Sequence, residues 1–335
     1  MNAPAEDTKL LAELDAVLAA DSMVGQWKYD DNLERAIGGP RPSGAAHAWG
    51  WDSISAKLLQ ACEAMPDSKT ARRTLAFLNP GLPKPGGGTT HSLLAAVQMV
   101  LPGELAWAHR HSLAALRFCM RGNPDLYTVV DGERCVMETN DLIITPAWSW
   151  HDHHNEGAEP GVWLDALDLP MVMGLNQIAY EKFGDSCQPV RPGPAQGAAA
   201  GKTLRYAWKE MERHLGLMRG GKPDPHQGIF LEYLDAKTGA PALPAISCNV
   251  RLLPGGFGTR PWRSTACSVF LVLEGSGRTV VGDKEIAWSK HDVVAIPQWI
   301  AHHHVNDSAT DRALMFVMND SPLQNVLGIY RDEAL

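Results

Sequence analysis

One feature limits this chain's possible folds more than any other: it contains itself twice. The stretch LPGELAWAHRHSLAALRFCMRG, then VVDGERCVMETNDLIITPAWSWHDHHNEG, returns as LPGGFGTRPWRSTACSVFLVLEG, then VVGDKEIAWSKHDVVAIPQWIAHHHVND. Pro102 aligns with Pro254, Gly122 with Gly275, Pro146 with Pro297 and Asn155 with Asn306. His151 aligns with His302 and His153 with His304, so the offset stays near 150 residues. A fixed period of this kind means that each half is one structural unit.

Each unit is dense in short β signals. LAALRFCM, LYTVV, LIITPAW and VWLDALDL read as strands, and VDGE reads as a D-G hairpin turn that VGDK matches in the second copy. Short strands punctuated by Gly, Pro and Asp predict an antiparallel barrel or jelly roll. Outside the copies, residues 7–22 and 52–65 have helical spacing, and ARRTLAFLNPGL (71–82) reads as a strand ending in a turn. GLNQIAYEKF and TLRYAWKEMERHLGLM read as helices, and QPVRPGPAQGAAAGK (188–202) as the linker. Four regions are therefore expected: an N-terminal helical arm and strand (1–85), a first barrel (86–170), a helical and loop connector (171–244) and a second barrel (245–335).

Composition excludes several classes. With a net charge of −8, the chain lacks the basic stripe of a nucleic-acid binder. No apolar run reaches the roughly 18–20 residues that cross a bilayer. The opening MNAPAEDTKLLAELDAVL has neither the basic start nor the apolar centre of a signal peptide. The six cysteines form no C-x-x-C pair and read as reduced thiols of a cytoplasmic protein.

The chemistry lies in the histidines. Eight of the thirteen fall in 109–111, 151–154 and 302–304. His109 and His111 on one strand project to the same side, and His151 can arrive from a neighbouring strand to complete a triangle around one metal ion. Three neutral imidazoles leave part of a coordination sphere open, as a catalytic metal requires. By strand parity Arg117 shares the face of His109 and His111. A buried guanidinium needs an anion, either a substrate carboxylate or an internal partner such as Asp165 or Asp168. His153 shares the face of His151, whereas His154 has the opposite parity. Trp107, Trp148 and Trp150 are available to wall a pocket, although core packing is the commoner task of a tryptophan. The second copy has Trp262 and Ser264 where the first has His109 and His111, so it is expected to be structural or to serve assembly.

Gly103, His109 and His111 (G-x5-H-x-H), with Pro146, Trp148, His151 and Asn155 (P-x-W-x2-H-x3-N), resemble the two cupin motifs. The wider wording HRHSLAALRF, VDGER, ITPAWSWHDHHN and WLDALDLP, with RRTLAFLNPGL upstream, resembles the gentisate 1,2-dioxygenase family of bicupins. That family includes salicylate, 1-hydroxy-2-naphthoate and 5-nitrosalicylate ring-cleaving relatives. The likeness is close over 27–170 and extends over 245–320 as the second cupin. It implies an all-β core of two double-stranded β-helix (jelly-roll) barrels, with additional N-terminal and inter-domain helices.

The same resemblance implies one Fe(II) per chain in the N-terminal cupin, held by His109, His111 and His151. It implies O2 as co-substrate, ring cleavage between the carboxyl- and hydroxyl-bearing carbons of a small aromatic hydroxy-acid, and a homotetramer. Many cupins add a Glu four or five residues after H-x-H. Here those positions are Ala115 and Leu116, so the ion keeps its full charge and favours a ligand with two anionic oxygens. The likeness gives His153 a role around O2 or in passing a proton, and Arg117 the substrate carboxylate. Arg73, Gln98, Leu94 and Ala96 become substrate-pocket positions, with Asp165 behind Arg117. Leu94 and Ala96 depart from the aromatic residue and the Gly expected there. They open space for a 5-nitro- or halo-salicylate, or for 1-hydroxy-2-naphthoate, beside gentisate. Two rivals remain: a Zn(II) cupin hydrolase or isomerase, and a non-catalytic ligand-binding cupin.

Overall fold

The computed structural model describes residues 5–65, 73–83, 87–192, 203–218 and 220–335. The chain divides into two units, Met1–Arg41 and Pro42–Leu335. In the first, α1 (Ala5–Ala20) and α2 (Trp27–Arg35) are joined through Asp15, which accepts the Trp27 indole N–H at 3.1 Å and pairs with Lys28 at 2.5 Å.

The second unit opens with β1 (His47–Trp49), α3 (Trp51–Ala64) and β2 (Arg73–Ala76). Copy one follows as β3 (Leu94–Val100), β4 (Leu105–His111), β5 (Ala115–Arg121), β6 (Asn123–Val130), β7 (Glu133–Met137), β8 (Leu142–Thr145), β9 (His151–Asn155), β10 (Gly161–Leu167), α4 (Leu169–Gly174) and β11 (Tyr180–Lys182). Then come β12 (Arg205–Tyr206), α5 (Trp208–Met218) and β13 (Ile229–Glu232). Copy two repeats the order as β14 (Ser247–Leu253), β15 (Trp262–Ser264), β16 (Ser268–Glu274), β17 (Ser276–Val281), β18 (Lys284–Ser289), β19 (Val293–Ile296), β20 (His302–Asn306), β21 (Ala313–Asn319), α6 (Ser321–Val326) and β22 (Asp332–Ala334).

The repeat is topological as well as textual. The five-stranded sheet β11-β4-β9-β6-β7 has its counterpart in β22-β15-β20-β17-β18. The six-stranded sheets run β12-β8-β5-β10-β3-β2 and β1-β19-β16-β21-β14-β13. All pairings between these strands are antiparallel, as in a jelly roll. The segments outside the copies close the edges. β1 from the N-terminal arm pairs with β19 in the second barrel, while β2 pairs with β3 in the first. The connector likewise gives β12 to the first barrel and β13 to the second.

Alternation within the six-stranded sheets decides what faces what. Leu116 and Phe118 of β5, Val97 and Met99 of β3, and Leu314 and Phe316 of β21 lie in one apolar cluster shared by both barrels. Phe118 stacks on Phe316 across it, with centroids 4.2 Å apart. The alternate residues point into the barrels, so Cys119 and Trp163 line the first and Phe270 and Val317 the second. These strands are covered on both faces and therefore read as nearly continuous apolar runs.

Two sequence expectations need correction. GLNQIAYEKF (174–183) is not a helix: α4 ends at Gly174, and Tyr180–Lys182 forms the edge strand β11 on β4. Leu175, Ile178 and Tyr180 imitate helical spacing but are about half exposed or more, so no buried helix face exists to fix them. In TLRYAWKEMERHLGLM the helix begins only at Trp208, after the bridge strand β12. Most of the expected linker, residues 193–202, lies outside the described residues. All six cysteines are free thiols.

Candidate metal centre

The centre is built by two adjacent strands of the first barrel. β4 carries His109 and His111, and β9 carries His151 and His153. A bulge in β4 between Ala106 and His109 resets the register so that His109 lies directly across from His151. The His109 and His151 rings are 4.3 Å apart, and those of His111 and His151 4.8 Å. The turn that delivers β9 is fixed by Trp148, whose left-handed backbone (φ 65°) lets its N–H donate to the His111 carbonyl at 2.8 Å. That conformation is costly for a bulky residue, yet Trp299 repeats it in copy two and donates to Ser264 at 2.7 Å.

Each ligand candidate has one ring nitrogen assigned by a carbonyl. Nδ1 of His109, His111 and His151 donates to the carbonyl oxygens of Trp107 (2.7 Å), Leu113 (2.9 Å) and Ser149 (3.0 Å). A carbonyl only accepts, so the proton sits on Nδ1 and the Nε2 lone pair is left for a cation. The three residues offer ligand atoms that all lie within 4.8 Å of one another. His151 Nε2 is buried without a hydrogen-bond partner, a cost that a metal bond removes. Burial, and next the nearby Arg117 charge, hold the His151 imidazole well below its ordinary pKa, so it is the neutral ligand that a metal requires. The donor set therefore fits one divalent transition metal, and no carboxylate belongs to it.

The opposite wall is the six-stranded sheet. The chain crosses to it through Ser112–Ala114, so parity counted from His111 does not extend to Arg117. Arg117 nevertheless points inward, because cross-strand pairing puts it level with Asp165 and Ala96. One row on either side are Ala115, Leu167 and Leu94, and then Cys119, Trp163 and Gln98. Arg117 Nη1 donates to Thr145 Oγ1 at 2.6 Å, and its Nε lies 3.3 Å from Asp165 Oδ1 without hydrogen-bond geometry. The Trp163 indole N–H donates to the other Asp165 oxygen at 3.1 Å. Burial pushes the Asp165 carboxyl up to about 6, against the pull of Arg117. Asp168 lies elsewhere, accepting the Ala114 N–H at 2.9 Å.

The same register moves Arg73 away. It pairs with Met99 on β2, on the face turned to the shared core, whereas Thr74 and Ala76 face inward. Its guanidinium is fully buried, held by both Glu104 oxygens at 2.6 Å and by the Met65 carbonyl. Arg73 is thus a clamp on the turn before β4 and not a pocket residue.

His153 is buried beside the ligands, with Nδ1 2.7 Å from Thr128 Oγ1 and its ring 5.8 Å from that of His151. Burial and then Arg117 hold its pKa well down. His154 turns away to Asp152 (2.6 Å) and stacks on Tyr127. Trp107 and Trp148 are 45% and 46% exposed, so neither serves the core. Sequence reasoning missed Tyr180, which stacks on His109 at 5.2 Å from the edge strand that had read as a helix. Continuing the repeat would have found that strand, since α6 and β22 follow β21 as α4 and β11 follow β10. In copy two only His302 and His304 remain, and no further metal-binding group exists among the described residues.

Known proteins share both the sequence and the fold of this chain. The cupin domain family matches residues 96–167 and 249–318. A 1-hydroxy-2-naphthoate 1,2-dioxygenase of Nocardioides sp. is 38% identical, covering 96% of this chain and 87% of the relative. A 5-aminosalicylate 1,2-dioxygenase of Comamonas sp. is 35% identical over 100% and 93%, and gentisate 1,2-dioxygenase 1 of Aquipseudomonas alcaligenes is 35% identical over 88% of each. The crystal structure of a salicylate 1,2-dioxygenase from Pseudaminobacter salicylatoxidans superposes with a TM-score of 0.85 at 24% identity, covering 100% of this chain and 99% of that one, which establishes the shared fold.

Proposed function

The chain belongs to the gentisate and salicylate 1,2-dioxygenase family of bicupins, and we propose that it uses Fe(II) and O2 to open the ring of an aromatic acid carrying a hydroxyl beside its carboxyl group. The observation that carries this reading is the neutral three-imidazole set with its orphaned His151 Nε2, facing a buried arginine across the same barrel. Bound Fe(II) supplies Lewis-acid and one-electron chemistry toward O2. His109, His111 and His151 would hold it, with the proton on each Nδ1 keeping the rings turned inward.

The remaining steps belong to the protein. Arg117 binds the substrate carboxylate. Asp165 and Thr145 fix its plane and leave further N–H groups of the guanidinium available. The substrate's carboxylate and ortho-hydroxyl bring the negative charge that the ligand set lacks. His153, neutral and held by Thr128, orients the reacting groups and exchanges a proton at Nε2. Trp163 and the row Leu94, Ala96 and Gln98 form the wall along which the ring lies. This confinement converts an encounter of two reactants into a reaction of neighbours.

Gentisate or a substituted salicylate is the first reading of the substrate. Leu94 and Ala96 favour a second, in which a 5-substituted salicylate or 1-hydroxy-2-naphthoate fits the added space. The test is oxygen uptake by protein loaded anaerobically with Fe(II), across gentisate, salicylate, 5-nitrosalicylate, 5-aminosalicylate and 1-hydroxy-2-naphthoate. Uptake stoichiometric with one ring-opened product is expected. Zinc as the bound metal with no uptake on any acid would instead support the hydrolase or isomerase reading. We further place the enzyme in the cytoplasm as a homotetramer, which sedimentation of the purified chain tests; its free thiols fit a reducing compartment.

A further inference from the structure

The second barrel has lost its metal ligands but has not become an apolar filler. Its interior holds a cavity of about 280 Å³ whose wall includes Asn249, Arg251, Trp262 and Ser264. Three buried polar atoms of that wall have no hydrogen-bond partner: Asn249 Oδ1, Arg251 Nε and Trp262 Nε1. Asn249 and Arg251 are 5% and 4% exposed. Such atoms are normally satisfied, and three around one cavity indicate a ligand site.

The repeat shows how the site arose. Asn249 pairs with Val317 and Val317 with Phe270, as Ala96 pairs with Asp165 and Asp165 with Arg117. Copy two has therefore replaced the Arg117–Asp165 pair by Phe270 and Val317. It has placed an arginine, Arg251, at the position of Gln98, and an amide, Asn249, at that of Ala96. Arg251 Nη1 donates to His304 Nε2 at 3.0 Å and Nη2 to Gln227 Oε1 at 3.2 Å; Asp224 acts on it through space, but among the described residues no carboxylate forms an ion pair with it. His304 is itself anchored through Nδ1 on Thr279, as His153 is on Thr128. Trp262, at the position of His109, replaces an acceptor by an N–H donor. One acceptor of the first barrel, on His109, has thus become a free donor in the second, and a guanidinium has been added to the same interior.

We propose that the C-terminal barrel binds a small organic carboxylate in this cavity, with the carboxylate on Arg251 Nε and Trp262 Nε1. The Asn249 amide oxygen then accepts from a hydroxyl of the ligand. The cavity sits at the small end of ligand pockets, which start at about 300 Å³, so it suits a single ring or less. Glu232 at the cavity wall accepts from Ser247 and disfavours a doubly charged guest.

Crystals soaked in 4-bromobenzoate, which lacks the ortho-hydroxyl needed to chelate, locate the site through bromine anomalous scattering. Titration calorimetry of the whole chain with benzoate, 3-hydroxybenzoate and inorganic phosphate reads its affinity. Arg251→Gln and Asn249→Ala each install the residue that copy one tolerates, and retained metal content reports folding. The expected results are bromine in the C-terminal barrel, at least tenfold weaker benzoate binding in Arg251→Gln, and loss in Asn249→Ala of any advantage of 3-hydroxybenzoate over benzoate. Water alone in the cavity, an unchanged Arg251→Gln titration, or phosphate binding in preference to both carboxylates would overturn the proposal.

Discussion

At the residue scale, the interior of the first barrel sets three histidines whose geometry suits a metal ion opposite a buried arginine. His111 is one of the three proposed metal ligands, so His111→Ala is expected to abolish metal retention and oxygen uptake together; metal analysis beside an oxygen-electrode trace checks this, and metal-dependent turnover in the variant contradicts the ligand assignment. Asp165 and Arg117 are 7% and 5% exposed at their side chains. Removing one partner strands the other charge, so Asp165→Ala should cost about 3 kcal/mol in chemical denaturation. The clustering of His109, His111 and His151 was legible because H-x-H and a third His carry their geometry in their spacing. Arg117 was placed on the right face by parity that the crossover at Ser112–Ala114 interrupts; only the pairing with Asp165 justifies it. Arg73 was misplaced because parity on a four-residue edge strand depends on its pairing partner, which spacing does not reveal.

At the element scale, each last barrel strand turns into a short helix through an aspartate. Asp168 accepts the Ala114 N–H at 2.9 Å, and Asp320 accepts that of Cys267 at 3.0 Å. Both tie this corner to the crossover that enters β5 or β16. Burial pushes Asp168 up to about 6, against an ordinary value near 3.9 in the unfolded chain. A raised acid favours the folded state only while it is protonated. Its contribution is therefore full below about pH 4, falls as pH rises to about 6 and is constant above. Asp165 shifts in the same direction. Asp168→Asn keeps an acceptor for Ala114 and removes the ionisation. Denaturation midpoints of the variant should fall less between pH 4 and 6 than those of the wild type, and parallel profiles would show that Asp168 does not titrate in this range. The edge strand β11 escaped the sequence reading because all three residues of Tyr180–Lys182 are exposed and carry no alternation to recognise. The central strands were legible as strands, but not their faces, since both faces are buried.

At the scale of the whole molecule, the two barrels share one core through their six-stranded sheets, and Phe118 and Phe316 meet at its centre. Phe316→Ala should cost about 3–5 kcal/mol and lower the stability of both barrels, not only the second. Fluorescence and metal release followed through one denaturant titration would then coincide; early unfolding of the second barrel with metal retained would show that the barrels are independent. The repeat announced two like units, but not that β1 crosses to the second barrel, because no local pattern marks a strand's distant partner. The claim on which the rest depends is that one metal ion sits in the first barrel alone. Diffraction from iron-loaded crystals on either side of the iron edge tests it most directly. A single anomalous peak within bonding distance of Nε2 of His109, His111 and His151 is the expected result, and a peak beside His302 or none at the triad would contradict it.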